Sequence, residues 1–201
     1  MGKADVRWVC QQCGWSVARH MGKCPHCGAW ESLVETLLEP EGGETGPRVP
    51  SRTGSHPQPL SRVETGTLTR IPVAMGEFSR VLGGGLVPGS IVLIGGEPGI
   101  GKSTLLLQVA AALGSLEHPV LYVSGEESPH QLKMRAQRLG IQGDALYVLA
   151  EIDAESIVAR AEELCPQLQA LVVDSIQTTR LEALSSSAGS VGQVRACASH
   201  F

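Results

Sequence analysis

Four of the six cysteines form two pairs, Cys10-x-x-Cys13 and Cys24-x-x-Cys27, with ten residues between the pairs. Two residues between thiolates let one tight turn aim both sulfurs at one ion, and two such turns supply the tetrahedral four-sulfur shell that Zn2+ prefers. Gly14 and Gly28 follow the second cysteine of each pair, where a backbone without Cβ can bend around the ligands. A metal there would also hold together a knuckle too small to have a core of its own. The same spacing serves a redox dithiol, and that chemistry is the alternative. His20 and His26 lie in the same stretch and read as bystanders, because four thiolates already close a structural site.

A second group, Gly96-Glu97-Pro98-Gly99-Ile100-Gly101-Lys102-Ser103-Thr104, fits the phosphate-loop pattern G-x-x-x-x-G-K-[ST]. Its chemistry is nucleotide binding. Backbone N–H groups of the loop and of the helix it opens face the phosphates of ATP, Lys102 neutralises the β and γ phosphates, and Ser103 holds Mg2+. Asp174 closes the apolar run Leu171-Val172-Val173. A carboxylate at the carboxyl end of a buried strand can reach the water shell of that Mg2+; a satisfied strand-end Asp is the plainer option.

Ser175, not Glu, follows Asp174, so a base that activates water must come from elsewhere. Glu126 and Glu127 follow the run Val120-Leu121-Tyr122-Val123. Glu126, nearer the strand, is favoured as the carboxylate that orients water, with a solvated turn pair as the alternative. The catalytic set is therefore Lys102, Glu126 and Asp174. Gln177 is either a sensor of the γ-phosphate or an ordinary loop amide. Gly83-Gly84-Gly85 and Gly89 read equally as a flexible turn or a ligand contact.

Positioning these groups requires an α/β fold with a mainly parallel sheet. Short aliphatic runs at Ile91–Ile94, Val120–Val123, Leu146–Leu149 and Leu171–Val173 read as four strands. Between them lie helical periods: Thr104 to Leu113, closed by Gly114; a helix capped by Ser128 with Pro129 at its first position and Leu132, Ala136 and Leu139 on one face, stopped by Gly140; and a helix capped by Asp153, carrying Ile157, Val158, Ala161 and Leu164 and ended by Pro166. One more helix is expected from Ser190. Residues 7–30 form the cysteine module, 31–69 a linker broken by Pro and Gly from about residue 39, and 70–201 the phosphate-loop domain, incomplete at its carboxyl end. A coil of about 30 residues spans roughly 30 Å, so the first module reads as a tethered arm.

The composition narrows the class. Of 201 residues 42% are hydrophobic and 18% charged, enough for a packed core and against disorder of the whole chain. A net charge of −4 argues against a globally basic nucleic-acid coat. No apolar run approaches the roughly 18 residues of a membrane span, and the first residues lack the apolar core of a signal peptide. Both point to the cytoplasm, where Cys165 and Cys197 read as ordinary thiols.

A phosphate loop, a Glu after the next strand and an Asp followed by Ser resemble the RecA superfamily of ATPases. With Cys-Gly-Trp and Lys-Cys-Pro-His-Cys-Gly-Ala-Trp around the cysteine pairs, and Arg70-Ile-Pro-Val-Ala-Met-Gly-Glu-Phe-Ser-Arg-Val-Leu-Gly-Gly-Gly-Leu-Val-Pro-Gly-Ser90, the chain resembles the RadA (Sms) family of bacterial DNA repair proteins to about Arg195. The resemblance implies an N-terminal zinc finger and a RecA-like domain using ATP, Mg2+ and Zn2+. It also implies single-stranded and branched DNA as substrates in branch migration, the RecA recombinase as a partner, and hexamers in full-length relatives. The family continues through a K-N-R-F-G motif and a Lon-protease-like domain that these 201 residues do not contain, so the sequence reads as a truncated or frameshifted copy, with a nucleotide- and zinc-binding fragment lacking motor activity as the alternative function.

Overall fold

A computed structural model of the chain describes residues 5–38, 59–62, 69–164 and 166–201. The central strand β4, Val120–Ser124, is buried at every position. Its alternation explains why: Val120 and Tyr122 pack with Leu107, Ala110 and Leu113 of helix α2 (Lys102–Leu113) and with Leu132 and Ala136 of α3 (Pro129–Arg138). Leu121 and Val123 face the other way, onto Ile157 and Ala161 of α4 (Ala154–Leu164). A strand with helices on both faces needs apolar residues on both, so it reads as an uninterrupted run. β5 (Leu146–Ala150) and β6 (Ala170–Asp174) flank β4 in parallel, in the order β5-β4-β6. The register pairs Val120 with Leu146 and with Ala170, and Ser124 with Ala150 and with Asp174. All three carboxyl ends therefore finish level, at one edge.

Local signals set the helix boundaries. Ser128 accepts from the Gln131 N–H while the Gln131 side chain accepts from the Ser128 N–H, a reciprocal cap with Pro129 behind it. Asp153 Oδ2 accepts from the Ser156 N–H and starts α4. Ser190 caps α5, Val191–His200. A short helix, α1, covers Gly76–Val81, and Arg70 donates to the Leu82 and Gly85 carbonyls, so the glycine run is a turn fastened to the segment before it.

The expected strand at Ile91–Ile94 does not form. Among the described residues the segment belongs to no ladder, and Ile91 and Leu93 are 80% and 83% exposed. A strand exists only through its hydrogen-bonded neighbour, and β6 pairs with β4 alone among the described strands. β-propensity without a partner leaves an extended run in solvent.

The cysteine module is larger than residues 7–30 and does not hang free. β1 (Asp5–Cys10) pairs antiparallel with both β2 (Ser16–Val17) and β3 (Leu33–Leu38), so residues 33–38, read as linker, complete its sheet. β3 also docks on the α/β domain. The Glu35 carboxylate is buried and accepts from Ser186 N at 2.7 Å, Ser185 Oγ at 2.8 Å and Ser185 N at 3.2 Å. Leu37 packs with Leu181 and Cys197, and Arg195 donates to Gln11. The expected arm is a docked ribbon. Of the remaining linker, residues 39–58 and 63–68 lie outside the described residues, as does Cys165; Leu60–Arg62 form one 3-10 turn.

Candidate functional site

At the cysteine centre the four Sγ atoms lie within 4.8 Å of one another, with Cys10 to Cys27 at 3.6 Å and Cys13 to Cys24 at 3.7 Å. A tetrahedron with Zn–S bonds of about 2.3 Å has edges of about 3.8 Å, so the sulfurs sit where a zinc shell requires them. The two turns repeat each other: Gly14 N–H donates to Cys10 O and Gly28 N–H to Cys24 O, each at 2.9 Å, with Gly14 at φ 74° and Gly28 at φ 75°. Both are left-handed, which glycine adopts without steric cost. The Ser32 hydroxyl, 3.2 Å from Cys10 Sγ, brings that thiol down to about 6, whereas Cys13 is pushed up to about 12, the Trp15 backbone lowering it less than burial and the three neighbouring sulfurs together raise it. Four sulfurs this close carry thiolate charge together only around a cation. His26 stacks on Trp15 and His20 meets Trp8 edge-on; the four-residue ligand group comprises the cysteines alone among the described residues.

The phosphate loop spans Gly96–Thr104, and α2 begins at Lys102, two residues before the expected Thr104. Its N-cap, Gly101, is left-handed at φ 101° and offers no side-chain cap. α3 and α5, by contrast, are capped by serines. Among the described residues no side chain caps the first N–H groups of α2, which is the condition for receiving an anion. Lys102 Nζ lies over its own loop, donating to Gly96 O at 2.9 Å and Glu97 O at 2.8 Å. Gly99 and Ile100 complete the loop, with Ile100 72% exposed at its tip.

Asp174 ends β6, and Gly125 N–H donates to its carbonyl at 3.1 Å, so the segment leading to Glu126 leaves the sheet beside it. Gly125 admits no side chain: a Cβ there would stand 2.1 Å from Thr178 Oγ1. Ser124 Oγ accepts from the N–H groups of Glu126 and Glu127 and shapes the turn. The two glutamates part here. Glu127 Oε1 pairs with Arg135 Nη2 at 2.5 Å, whereas the Glu126 carboxylate has no hydrogen-bond or ion-pair partner among the described residues. Glu126 lines a cleft of about 300 Å³ with Ser128, Glu151 and Ile152. Gln177 is exposed in the turn after Asp174.

Sequence reasoning passed over Tyr122. It is fully buried, and its hydroxyl donates to Asp174 Oδ2 at 2.6 Å while lying 3.4 Å from the Ser103 carbonyl. Burial and the adjacent Asp174 carboxylate push the phenol well above its ordinary range, so it stays a neutral donor. The signal was available: a tyrosine inside a fully apolar strand must find a partner for its hydroxyl.

A zinc ribbon at 5–38 docked on a parallel α/β domain with a phosphate loop defines a P-loop ATPase class of protein. The KaiC ATPase family matches residues 71–186, and the chain belongs to that family; a family described as rubredoxin metal binding domain matches residues 8–35. The chain is similar to the DNA repair protein RadA of Halalkalibacterium halodurans, 49% identical over 100% of this chain and 44% of the relative. It is also similar to RadA of Bacillus subtilis, 48% identical over 98% of this chain and 43% of the relative. The chain thus spans under half the length of these curated relatives. No helix among the described residues is long and apolar enough to cross a membrane.

Proposed function

We propose that this chain binds ATP with Mg2+ at Gly96–Thr104 and hydrolyses it with Lys102, Glu126 and Asp174, in the service of DNA repair. The observation that carries the reading is the uncapped N-terminus of α2 behind a left-handed Gly101, with Lys102 folded over the loop. Lys102 exchanges two loop carbonyls for the β and γ phosphates, and Ser103 and Asp174 hold Mg2+, which supplies charge neutralisation when bound. The unpartnered Glu126 orients the water. Cys10, Cys13, Cys24 and Cys27 hold Zn2+ as the ribbon's structural centre. By likeness to relatives named DNA repair proteins, the substrates are single-stranded and branched DNA, and the place of action is the cytoplasm beside the RecA recombinase, in a homo-oligomer, with branch migration as the output.

A second reading is favoured by the unpaired, exposed Ile91–Ile94 segment leading into the loop: a nucleotide- and zinc-binding unit without motor activity. Equilibrium binding of a fluorescent ATP analogue, followed by steady-state hydrolysis with single-stranded DNA titrated at low salt, separates the two. Lys102→Ala should weaken nucleotide binding or stop turnover with the fold kept. Unaltered affinity and turnover in that variant would refute the loop assignment. Binding without turnover, with or without DNA, selects the second reading.

A further inference from the structure

We propose that Tyr122 is a positioning residue of the nucleotide site, holding the Asp174 carboxylate in register with the first turn of α2 so that one carboxylate oxygen stays committed to the phenol and the other meets the cation. The proposal deepens the functional reading above and rests on its assignment of Asp174 to Mg2+.

The argument starts from topology. β4 lies between β5 and β6 and is covered by α2 on the face that Tyr122 occupies. A tyrosine is the side chain long enough to run from that buried strand to the level carboxyl edge. Tyr122 stands opposite Val172 in β6, two residues before Asp174, and its ring packs within the core cluster that includes Leu107 and Ala110. The ring is thus fixed by packing on every side and the hydroxyl is delivered to one point. There it has two acceptors, Asp174 Oδ2 at 2.6 Å and the Ser103 carbonyl at 3.4 Å. One phenolic hydrogen serves one acceptor well, and the shorter contact to the charged group takes it.

The consequence is geometric. Asp174 is the last residue of its strand and Ser103 the second residue of α2, so nothing in either element alone fixes the carboxylate against the serine. Tyr122 touches both. It also belongs to β4, whose end the turn with Glu126 follows, so the phenol meets the segments assigned to phosphate and cation and shares a strand with the one assigned to water. A Phe would retain the packing and lose the bond, leaving the carboxylate free to turn about χ2.

The test compares wild type with Tyr122→Phe in the full chain. Affinity for a ribose-labelled fluorescent ATP analogue is measured with Mg2+ and in EDTA. The expected result is an unchanged affinity in EDTA, within about twofold, and a Mg2+-dependent gain in affinity at least about tenfold smaller than that of wild type, the scale of one hydrogen bond to a charged group. A merely structural role would move both affinities or neither. An equal Mg2+ gain in both proteins overturns the proposal. A wild type that binds nucleotide with no Mg2+ gain overturns the Asp174 assignment instead, and the proposal falls with it; no binding at all refutes the functional reading. A stability cycle with Asp174→Ala, read by urea unfolding without nucleotide, guards against a folding defect. Tyr122→Phe should cost stability in wild type and little in the Asp174→Ala background, and equal cost in both backgrounds overturns the bond.

Discussion

Replacing Glu35 by alanine is expected to release the zinc ribbon from the α/β domain while leaving the interior of each intact. Glu35 is 5% exposed, and its carboxylate receives two backbone N–H groups and one hydroxyl from Ser185 and Ser186. Hydrogen bonds to a charged acceptor contribute about 1.5–3 kcal/mol each in net terms. Three of them share one carboxylate, and the cost of removing it from water offsets part of their sum. About 3 kcal/mol remains, roughly a hundredfold in the docking equilibrium. Among the contacts that remain are Leu37 against Leu181 and Cys197, the close approach of Gly192 in α5 to the Glu35 backbone and Val34, and the Gln11 contact of Arg195.

Amide hydrogen exchange reads this directly. In Glu35→Ala the Ser185 and Ser186 amides should exchange about a hundredfold faster, while amides within β4 and β6 keep their protection. The same bond sets a pH dependence. Burial raises the Glu35 carboxyl, but the Ser185 and Ser186 donors outweigh it and hold the docked value below the ordinary 4.5. A lowered pKa means that the contribution is whole above the undocked value and is lost as pH falls through the docked one. Protection at the two amides, corrected for intrinsic exchange, should be flat from about pH 7 to 5 and weaken below about 4.5; Glu35→Gln should show no such step. Unchanged exchange at Ser185 and Ser186 in the alanine variant would refute the docked arrangement.

Three further outcomes are expected. A thiol-modifying mercurial should release about one equivalent of zinc per chain, and Cys24→Ser should abolish that release by opening the four-sulfur shell. Glu126→Gln should retain nucleotide and lose hydrolysis, whereas Glu127→Gln should leave chemistry nearly intact but cost about 1–2 kcal/mol in a denaturant titration, because it leaves the partly buried Arg135 without its ionic partner. Gly125→Ala should destabilise by about 1–3 kcal/mol, since its Cβ would collide with Thr178; a Thr178→Gly background should recover much of the loss.

The parts of the site that were legible in the sequence are those whose determinants are neighbours along the chain. A Cys-x-x-Cys-Gly turn, a phosphate loop opening a helix, and a Ser128 cap with Pro129 behind it each carry their instruction within a few residues, and the structure realises each. β4, β5 and β6 were legible for a related reason: a strand buried on both faces or lying beside one is apolar without needing a named partner. Sequence could also rank Glu126 above Glu127, by distance from the strand alone. What the sequence could not show is the Arg135 guanidinium eight residues on that pairs with Glu127, because it depends on how α3 lies against the turn.

What was illegible depends on partners distant in sequence. Leu33-Val34-Glu35-Thr36-Leu37-Leu38 follows the cysteine turns and precedes a Pro- and Gly-rich stretch, so it read as the start of a linker; it becomes a strand because β1 lies beside it, and Glu35 is tolerated in its buried face because Ser185 and Ser186, some 150 residues away, bring N–H groups to it. Ile91–Ile94 is the converse case. Its residues have high strand propensity and are followed by the loop that a strand should feed, yet no described strand offers it a ladder and it stays exposed. Propensity was equal to or better than that of β3 in the segment that failed, so the deciding variable was the presence of a hydrogen-bonding edge. The same variable governs the site, because Lys102 and Ser103 are carried by the segment that Ile91–Ile94 leads into, while Asp174 ends a strand of the paired sheet and Glu126 stands in the turn just beyond another. Between α2 and that sheet the tie is core packing, and Tyr122 adds to it a hydroxyl that is committed to Asp174 and lies against the Ser103 carbonyl, which is why its removal should be felt at the cation.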